Sequence, residues 1–254
     1  MKISNSRLSG AEAREVETGR QIHQAILSSF HVYTEPRVAG YVSRVGRSLG
    51  RVSKRKNLEY RFTILYDSRA YATQAPGGFV YITTGFLNFV QNEAELAAVL
   101  AYEVANLQYP DPRFSKSKKA MHGLVQGGAI VAPFFGQIGM LAAAAIILLN
   151  AWSESAVPSQ KERIEKIDRM AIHYLLLSKH DPQGYLDFLN RLLNMNSEWS
   201  PYFYDYLATR PVTADRYQKV LAEFEKMPLE GKSFDVHHAR YLEITKGVRE
   251  IYQG

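Results

Sequence analysis

The hydrophobic and polar positions of the chain follow two different periods, and each period predicts a different kind of element. Apolar residues recur every three to four positions in the stretches that begin near residues 9, 36, 92, 159, 182, 213 and 239, which predicts helices. Around residues 60–66 the period changes to two, and residues 79–83 form a run of high β propensity after a Pro-Gly-Gly turn. We therefore predict one mostly helical α+β domain over residues 1–254, with a small β-sheet.

The central helix is predicted over residues 92–107, where neither glycine nor proline occurs. Asn92 can cap this helix, and Glu95 is suitably placed three residues later. The inward stripe of the helix consists of Leu96, Val99, Leu100, Val104 and Leu107. Glu103 lies on that same stripe. A carboxylate on an inward face has to meet a cation, a metal or several hydrogen-bond donors, or else take up a proton. Glu103 is therefore the first candidate for a functional residue.

The residues around Glu103 repeat the frame of a zinc-binding motif without its ligands. Tyr102 and Asn106 are spaced i and i+4, so their side chains lie one turn apart on one face of the helix. Histidines at these two positions would create the H-E-x-x-H motif, in which two imidazoles bind zinc and the glutamate activates water. A second inward carboxylate, Asp168, lies on the apolar stripe of the helix predicted after residue 159.

A segment without Asp, Glu, Lys or Arg extends from residue 120 to residue 153, and its most apolar part is 123–149. By length it could span a membrane, but five glycines, Pro133, Gln126 and Gln137 divide it into pieces that are too short. We expect an apolar helical hairpin that covers the cleft as a lid. Membrane insertion, or burial at a membrane surface, is the alternative.

Composition adds few constraints. The 254 residues contain no cysteine, which excludes disulfides and thiolate chemistry, and the net charge of +6 is modest. Two basic runs, residues 51–56 and 116–119, are interpreted as solvated loops, with contact to an anionic membrane or to nucleic acid as the alternative. Of these partners we expect no nucleic acid. The first 17 residues lack the apolar core of a signal peptide, so we expect a cytoplasmic protein, or a periplasmic or membrane-associated one if a signal peptide has been removed.

Five blocks of the sequence, in the right order, resemble the zinc metallopeptidases of the HtpX, BepA and CaaX-protease type. They are EVETGRQIHQAIL, YATQAPGGFVYITTGFL, NEAELAAVLAYEVAN, IEKIDRMAIHYLLLSKHDPQGYLDFL and YLATRPVTADR. The match extends from about residue 12 to about residue 221. The resemblance implies a gluzincin-like domain in which a small sheet lies beside the active-site helix. It also implies zinc-dependent endopeptidase activity for members of the family.

The three zinc-ligand positions of that family carry other residues in this chain. Tyr102 and Asn106 stand at the positions of the two histidines, and Ile164 stands at the position of the glutamate. A phenol with a pKa near 10 and a neutral amide are poor zinc ligands, and isoleucine cannot bind a metal. No two histidines of the sequence are spaced i and i+4, as two zinc ligands on one helix face are. A further departure, Tyr71 in place of asparagine, precedes the Pro-Gly-Gly turn. We therefore predict no cofactor, with zinc only if the ligand positions are misjudged.

Two carboxylates keep the residue types of the family, and one cation is new. Glu103 stands at the general-base position, and Asp168 stands where an aspartate supports a zinc-binding histidine. Arg210 replaces the histidine that helps to stabilise the transition state. Because this position faces the same site in the family, we predict that the Arg210 guanidinium pairs with Glu103, Asp168 or both. Tyr102 and Asn106 are expected to bond the remaining carboxylate oxygens.

These departures predict a family member that has lost zinc and proteolytic activity and acts as a peptide- or protein-binding module. In the family, substrate lies extended along an edge strand beside the active-site helix. The matching stretch here consists of Phe79, Val80, Tyr81, Ile82 and Thr83. The expected partners are a polypeptide in the cleft and a membrane surface reached through residues 123–149.

Three alternatives to this function remain open. The first is an active zinc-dependent metalloendopeptidase. The second is a metal-free acid/base pair formed by Glu103 and Asp168, which nothing else in the sequence supports. The third is a structural relic whose cleft binds nothing. The sequence contains no G-x-S-x-G elbow, P-loop or dinucleotide fingerprint that would indicate other chemistry.

Overall fold

The computed structural model describes residues 9–109, 160–195 and 200–253, which form nine helices and three strands. The helices are α1 (Gly10–Ser29), α2 (Pro36–Val52), α3 (Thr84–Phe89), α4 (Glu93–Asn106), α5 (Gln160–Leu177), α6 (Gln183–Leu193), α7 (Ser200–Thr209), α8 (Ala214–Phe224) and α9 (His238–Glu250). The strands are β1 (Arg61–Leu65), β2 (Ala72–Ala75) and β3 (Phe79–Thr83). The predicted fold class, mostly helical α+β with a small sheet, is confirmed.

Local sequence signals determine where several helices begin. The hydroxyl of Ser9 accepts the backbone N–H of Glu12, and the Glu12 carboxylate accepts the backbone N–H of Ser9, which forms a capping box for α1. Pro36 is the first residue of α2. The Asn92 side chain accepts the N–H of Glu95 at 2.9 Å and caps α4. These predicted helix starts are confirmed.

The sheet has the strand order β1-β3-β2, so β3 is its central strand. β3 runs parallel to β1 and antiparallel to β2, and all five of its residues are buried. The prediction that residues 79–83 form an edge strand is therefore wrong, because both sides of β3 are paired. The strand beside it, β2, was not predicted, since two alanines and a glutamine among four residues have low β propensity.

Helix α4 is the element against which the others pack. It contacts α2, α5, α6, β2 and β3, and every residue from position 93 to position 105 is buried. A helix that is covered on all sides needs small side chains where neighbours approach, and five alanines within α4 provide them. This arrangement brings residues from α5, α6 and α8, and from the end of α7, to the middle of α4.

The aromatic stretch before Arg210, for which the sequence predicted no element, is helix α7. Its Phe203 and Tyr206 rings pack edge-on against Phe86 of α3, with centroids 5.6 and 5.2 Å apart. Tyr206 also contacts Tyr71 edge-on at 6.5 Å. The aromatic cluster therefore holds the end of α7, and with it Arg210, close to β2 and α4.

The predicted lid lies outside the described residues. The hairpin over residues 120–153, its membrane alternative and the single-domain organisation of residues 1–254 therefore stay predictions. Among the helices in the described ranges, none combines the length and the apolar character that crossing a membrane requires.

The close approach of α6 to α4 predicts opposite effects for two glycine substitutions. A Cβ at Gly184 would lie 2.6 Å from the carbonyl carbon of Ala94, so Gly184→Ala should lower the free energy of unfolding by about 1–3 kcal/mol. Gly40 in α2 has no atom within 4 Å of its Cβ position, so Gly40→Ala should raise that free energy by about 0.5–1 kcal/mol. Urea unfolding of both variants measures the difference. Equal effects would contradict the close approach.

Candidate functional site

Glu103 and Arg210 form an ion pair in the interior of the protein. Glu103, on α4, is 0% exposed, and Arg210, directly after α7, is 6% exposed. Nη2 of Arg210 lies 2.9 Å from Oε1 and 3.0 Å from Oε2 of Glu103, and it donates a hydrogen bond to Oε2. The predicted pairing of Arg210 with Glu103 is therefore confirmed.

Three tyrosine rings contact the guanidinium of Arg210. Its Cζ atom lies 5.1 Å from the ring centre of Tyr206, 5.5 Å from that of Tyr102 and 5.8 Å from that of Tyr71. At these distances the ring quadrupoles attract the cation. Nη1 of Arg210 also donates to the hydroxyl of Thr209 at 3.0 Å. Two departures from the family pattern, Tyr71 and Tyr102, thus contact the residue that forms a third departure, Arg210.

Asp168 pairs with a different arginine, to which the sequence analysis assigned no role. Arg216, on α8, donates from Nη2 to Oδ1 of Asp168 at 2.8 Å and from Nε to Oδ2 at 2.9 Å. The hydroxyl of Tyr185 donates to Oδ1 at 2.6 Å. This bidentate geometry is the strongest form of an arginine–carboxylate contact. A signal was present, because Arg216 is the last residue of the block YLATRPVTADR.

The side chain of Tyr102 lies next to both ion pairs. Its ring centre is 5.5 Å from Cζ of Arg210 and 5.4 Å from Cζ of Arg216. Burial raises the pKa of the Tyr102 phenol to about 12, although the two guanidinium groups lower it. Tyr102 is therefore a neutral phenol near neutral pH, and its ring lines the space between two cations.

The expectation that Tyr102 and Asn106 bond the remaining carboxylate oxygens is wrong. Oε1 of Glu103 is buried without a hydrogen-bond partner. The side-chain oxygen of Asn106 instead accepts a hydrogen bond from Nη2 of Arg163 on α5, at 2.8 Å. Asn106 is the last residue of α4, where the neighbouring arginine of α5 is within reach. Ile164, 6% exposed, contributes only an apolar side chain at the third ligand position.

Burial and the partner's charge shift the pKa values of Glu103 and Arg210 in opposite directions. Burial raises the pKa of Glu103 to about 7, although the charge of Arg210 and its hydrogen bond lower it. Burial lowers the pKa of Arg210, but the Glu103 charge outweighs this effect and keeps the pKa above its ordinary value. The arginine therefore stays charged, while the glutamate titrates near neutral pH.

In the first turn of α4, two more buried carboxylates are each paired with an arginine. Glu93 is 5% exposed and pairs with Arg240 of α9, and Glu95 is 2% exposed and pairs with Arg191 of α6. Each of the four buried carboxylates in the described part of the chain therefore has an arginine partner. The pairs at Glu93 and Glu95 were not predicted, because Glu95 was assigned only a role in capping and Glu93 was assigned none.

The residues at the family's metal positions do not fit a zinc ion. Tyr102 keeps its proton, the Asn106 oxygen is held by an arginine, and Ile164 has no donor atom. The permanently charged guanidinium of Arg210 contacts Glu103, whose carboxylate would face the metal. Within the described ranges, no group of three or more His, Cys, Asp or Glu side chains could hold a metal ion.

A central helix with a buried glutamate, beside a small three-stranded sheet, is the arrangement that the resemblance to metallopeptidases implies. The model of peptidase family M48 matches residues 36–223, which is most of the chain. The protein therefore belongs to peptidase family M48, as the resemblance implied.

Several curated relatives agree with this assignment. The beta-barrel assembly-enhancing protease of Escherichia coli (strain K12) is 23% identical over 208 residues, which cover 80% of this chain and 42% of that protein. The protein of the same name in Yersinia pestis is 23% identical over 167 residues, which cover 64% of this chain and 34% of the relative. The chain thus spans less than half the length of these relatives.

The titration of Glu103 predicts that the cost of removing Arg210 depends on pH. Because the folded-state pKa of Glu103 is about 7 against 4.5 for an ordinary glutamate, the folded state holds this proton more tightly. The contribution of Glu103 to stability therefore falls as the pH rises from about 4.5 to about 7. Arg210→Ala should cost roughly 3–5 kcal/mol at about pH 8.5, where an ionised Glu103 loses its partner, and clearly less at about pH 5.

Urea unfolding at both pH values measures this difference. The matched control is the same Arg210→Ala change in a Glu103→Gln background, where the cost should be independent of pH because no carboxyl group remains to titrate. A cost that is the same at both pH values with Glu103 in place would contradict the ion pair as its cause.

Proposed function

We propose that this member of the peptidase family lacks peptidase activity and binds extended polypeptide. The observation that carries this proposal is the position of Arg210 on Glu103. A general base has to reach the proton that it abstracts, and it has to be free to accept it. Both oxygens of Glu103 lie within 3.0 Å of Nη2 of Arg210, and the guanidinium contacts three tyrosine rings.

The substitutions form a set that is electrostatically consistent without a metal. Loss of a dication would leave inward carboxylates unpaired, at a cost of several kcal/mol each. One such carboxylate position is occupied by Ile164, and the Arg210 guanidinium neutralises Glu103. Tyr71 and Tyr102 then supply ring faces to the same guanidinium. Each change favours a stable buried pair over a reactive site, which supports a role without catalysis.

Strand β2 supplies the backbone edge for a bound polypeptide. The carbonyl of Tyr71 accepts the N–H of Thr83, so hydrogen-bonded pairs alternate from that point along β2. By this alternation the backbone groups of Ala72 and Gln74 point away from β3, and no described residue pairs with them. β2 lies beside α4, and all four of its residues are buried. An extended peptide that adds to this edge through main-chain hydrogen bonds therefore has to displace what covers the strand, but it needs no catalytic residue.

Metal analysis tests the loss of catalysis. Protein purified without added zinc should contain no stoichiometric zinc and show no chelator-sensitive cleavage of casein. The variant Tyr102→His/Asn106→His/Ile164→Glu should gain zinc binding, because it restores three ligands. Addition of Arg210→His should tighten that binding, because a guanidinium next to the site repels the dication.

The two arms of the metal experiment have different consequences. Stoichiometric zinc and chelator-sensitive cleavage in the unaltered protein would establish the alternative, an active metalloendopeptidase. Failure of a correctly folded four-residue variant to bind zinc would contradict the alignment of the ligand positions. Circular dichroism and thermal unfolding verify the fold of each variant.

A proline at an outward-facing position tests the binding edge. Gln74→Pro removes one outward N–H and leaves the pairing with β3 intact, as edge strands tolerate. Binding of fluorescein-labelled casein, measured by fluorescence anisotropy, should weaken by about tenfold or more, since a main-chain hydrogen bond to the peptide is lost. The matched control Gln74→Ala keeps the N–H and should bind casein like the unaltered protein. Equal binding by both variants would rule out this edge, while the absence of catalysis would stand or fall with the metal experiment.

A further inference from the structure

The outward face of α2 carries a row of basic side chains that the proposed function does not use. Residues 36–58 contain seven Arg and Lys residues and no Asp or Glu. The net charge of the whole chain is +6, so the rest of the sequence is close to neutral. The basic residues with exposed positions are Arg37, Arg44, Arg47, Arg51, Lys54 and Lys56. We call these six residues the basic row.

The helical period places the basic row on one side of the protein. At 3.6 residues per turn, positions 37, 44, 47 and 51 lie within an arc of about 80° and extend over about 21 Å of helix. Lys54 and Lys56 follow directly after the helix ends at Val52. The opposite side of α2 packs into the core through Val38, Tyr41, Val42, Val45 and Leu49. The helix therefore cannot turn its cations inward.

Most of the basic row has no carboxylate partner in the described part of the chain. Arg37 pairs with Glu243 of α9. Arg47 donates only to the carbonyl of Ser43, at 3.1 Å, and Arg44 lies 6.0 Å from the ring centre of Tyr41. For residues 44, 47, 51, 54 and 56, no ion pair is formed with any described residue. By contrast, Arg55, between the last two, turns inward and pairs with Glu15.

The chemistry of the basic row favours a bilayer over other anionic partners. The exposed positions of residues 36–58 include no large apolar side chain, whereas protein interfaces have an apolar or aromatic centre. The one aromatic residue of the segment, Tyr41, is buried, so no ring is available to stack on nucleic acid bases. A plane of lipid phosphates needs only a row of long, mobile cations.

From these observations we propose that the basic row is a docking surface for a membrane rich in anionic phospholipid. The contact is peripheral: the arginine and lysine side chains reach the headgroup phosphates, and the apolar face of α2 remains in the protein core. Binding therefore needs no insertion of this helix and falls as the salt concentration rises. This inference does not depend on the proposed function, because no residue of the basic row belongs to the Glu103 site.

Co-sedimentation with vesicles tests the docking surface. The full chain should bind vesicles of phosphatidylcholine with about one third phosphatidylglycerol at low salt, and should not bind pure phosphatidylcholine vesicles. Arg44→Gln/Arg47→Gln/Arg51→Gln should weaken binding by about a hundredfold, since each cation near the surface contributes roughly a fivefold factor. The matched control Lys226→Gln/Lys232→Gln/Lys246→Gln removes the same charge from exposed lysines, two between α8 and α9 and one in α9, and should bind nearly as well as the unaltered protein.

Three outcomes would overturn the proposal. Equal weakening by both triple variants would mean that only net charge matters. Equal binding to neutral and anionic vesicles would assign membrane contact to apolar residues instead. Tighter binding to a DNA or RNA oligonucleotide than to anionic vesicles at the same salt concentration would identify nucleic acid as the partner. Thermal unfolding confirms that each triple variant is folded.

Discussion

The structure depends on how the carboxylates buried around α4 are compensated. Glu103 is wholly buried, and a charge in such a position is tolerated only when a partner lies close to it. Arg210 provides that partner, with one nitrogen 2.9 and 3.0 Å from the two carboxylate oxygens. To reach it, the end of α7 has to dock on α4, and the aromatic contacts of Tyr206 with Phe86 and Tyr71 hold it there. The electrostatic demand of one residue thus constrains the path of the chain over α7.

The same constraint explains why several departures from the family pattern occur together. An arginine in place of the transition-state histidine needs a polarisable lining, and Tyr71 and Tyr102 provide ring faces within 6 Å of its guanidinium. A third carboxylate at position 164 would add a charge for which the central pair has no second cation, and isoleucine avoids this. Asp168 does not need Arg210 as a partner, because Arg216 and Tyr185 donate hydrogen bonds to it. The residues at the family's metal positions are therefore best understood as part of a buried polar network.

Buried ion pairs of this kind add little net stability, since desolvation of both charges offsets their attraction. A helix that slipped from this arrangement would leave a buried charge unpaired, which costs several kcal/mol. Burial raises the pKa of Glu103 to about 7 in spite of the arginine. Three such pairs, at Glu93, Glu95 and Glu103, tie α4 to α9, to α6 and to the end of α7, and a fourth, at Asp168, ties α5 to α8.

What the sequence by itself determined was local or pairwise. Helical periodicity and caps identified the central helix, the family blocks identified the fold, and an inward carboxylate facing a new arginine predicted the pair of Glu103 with Arg210. Tertiary structure decided the rest. β2 forms by pairing with β3 and not through its own propensity, so the edge strand was misplaced. Asn106 and Arg216 found partners on neighbouring helices, because the distance between helices depends on packing and not on residue type.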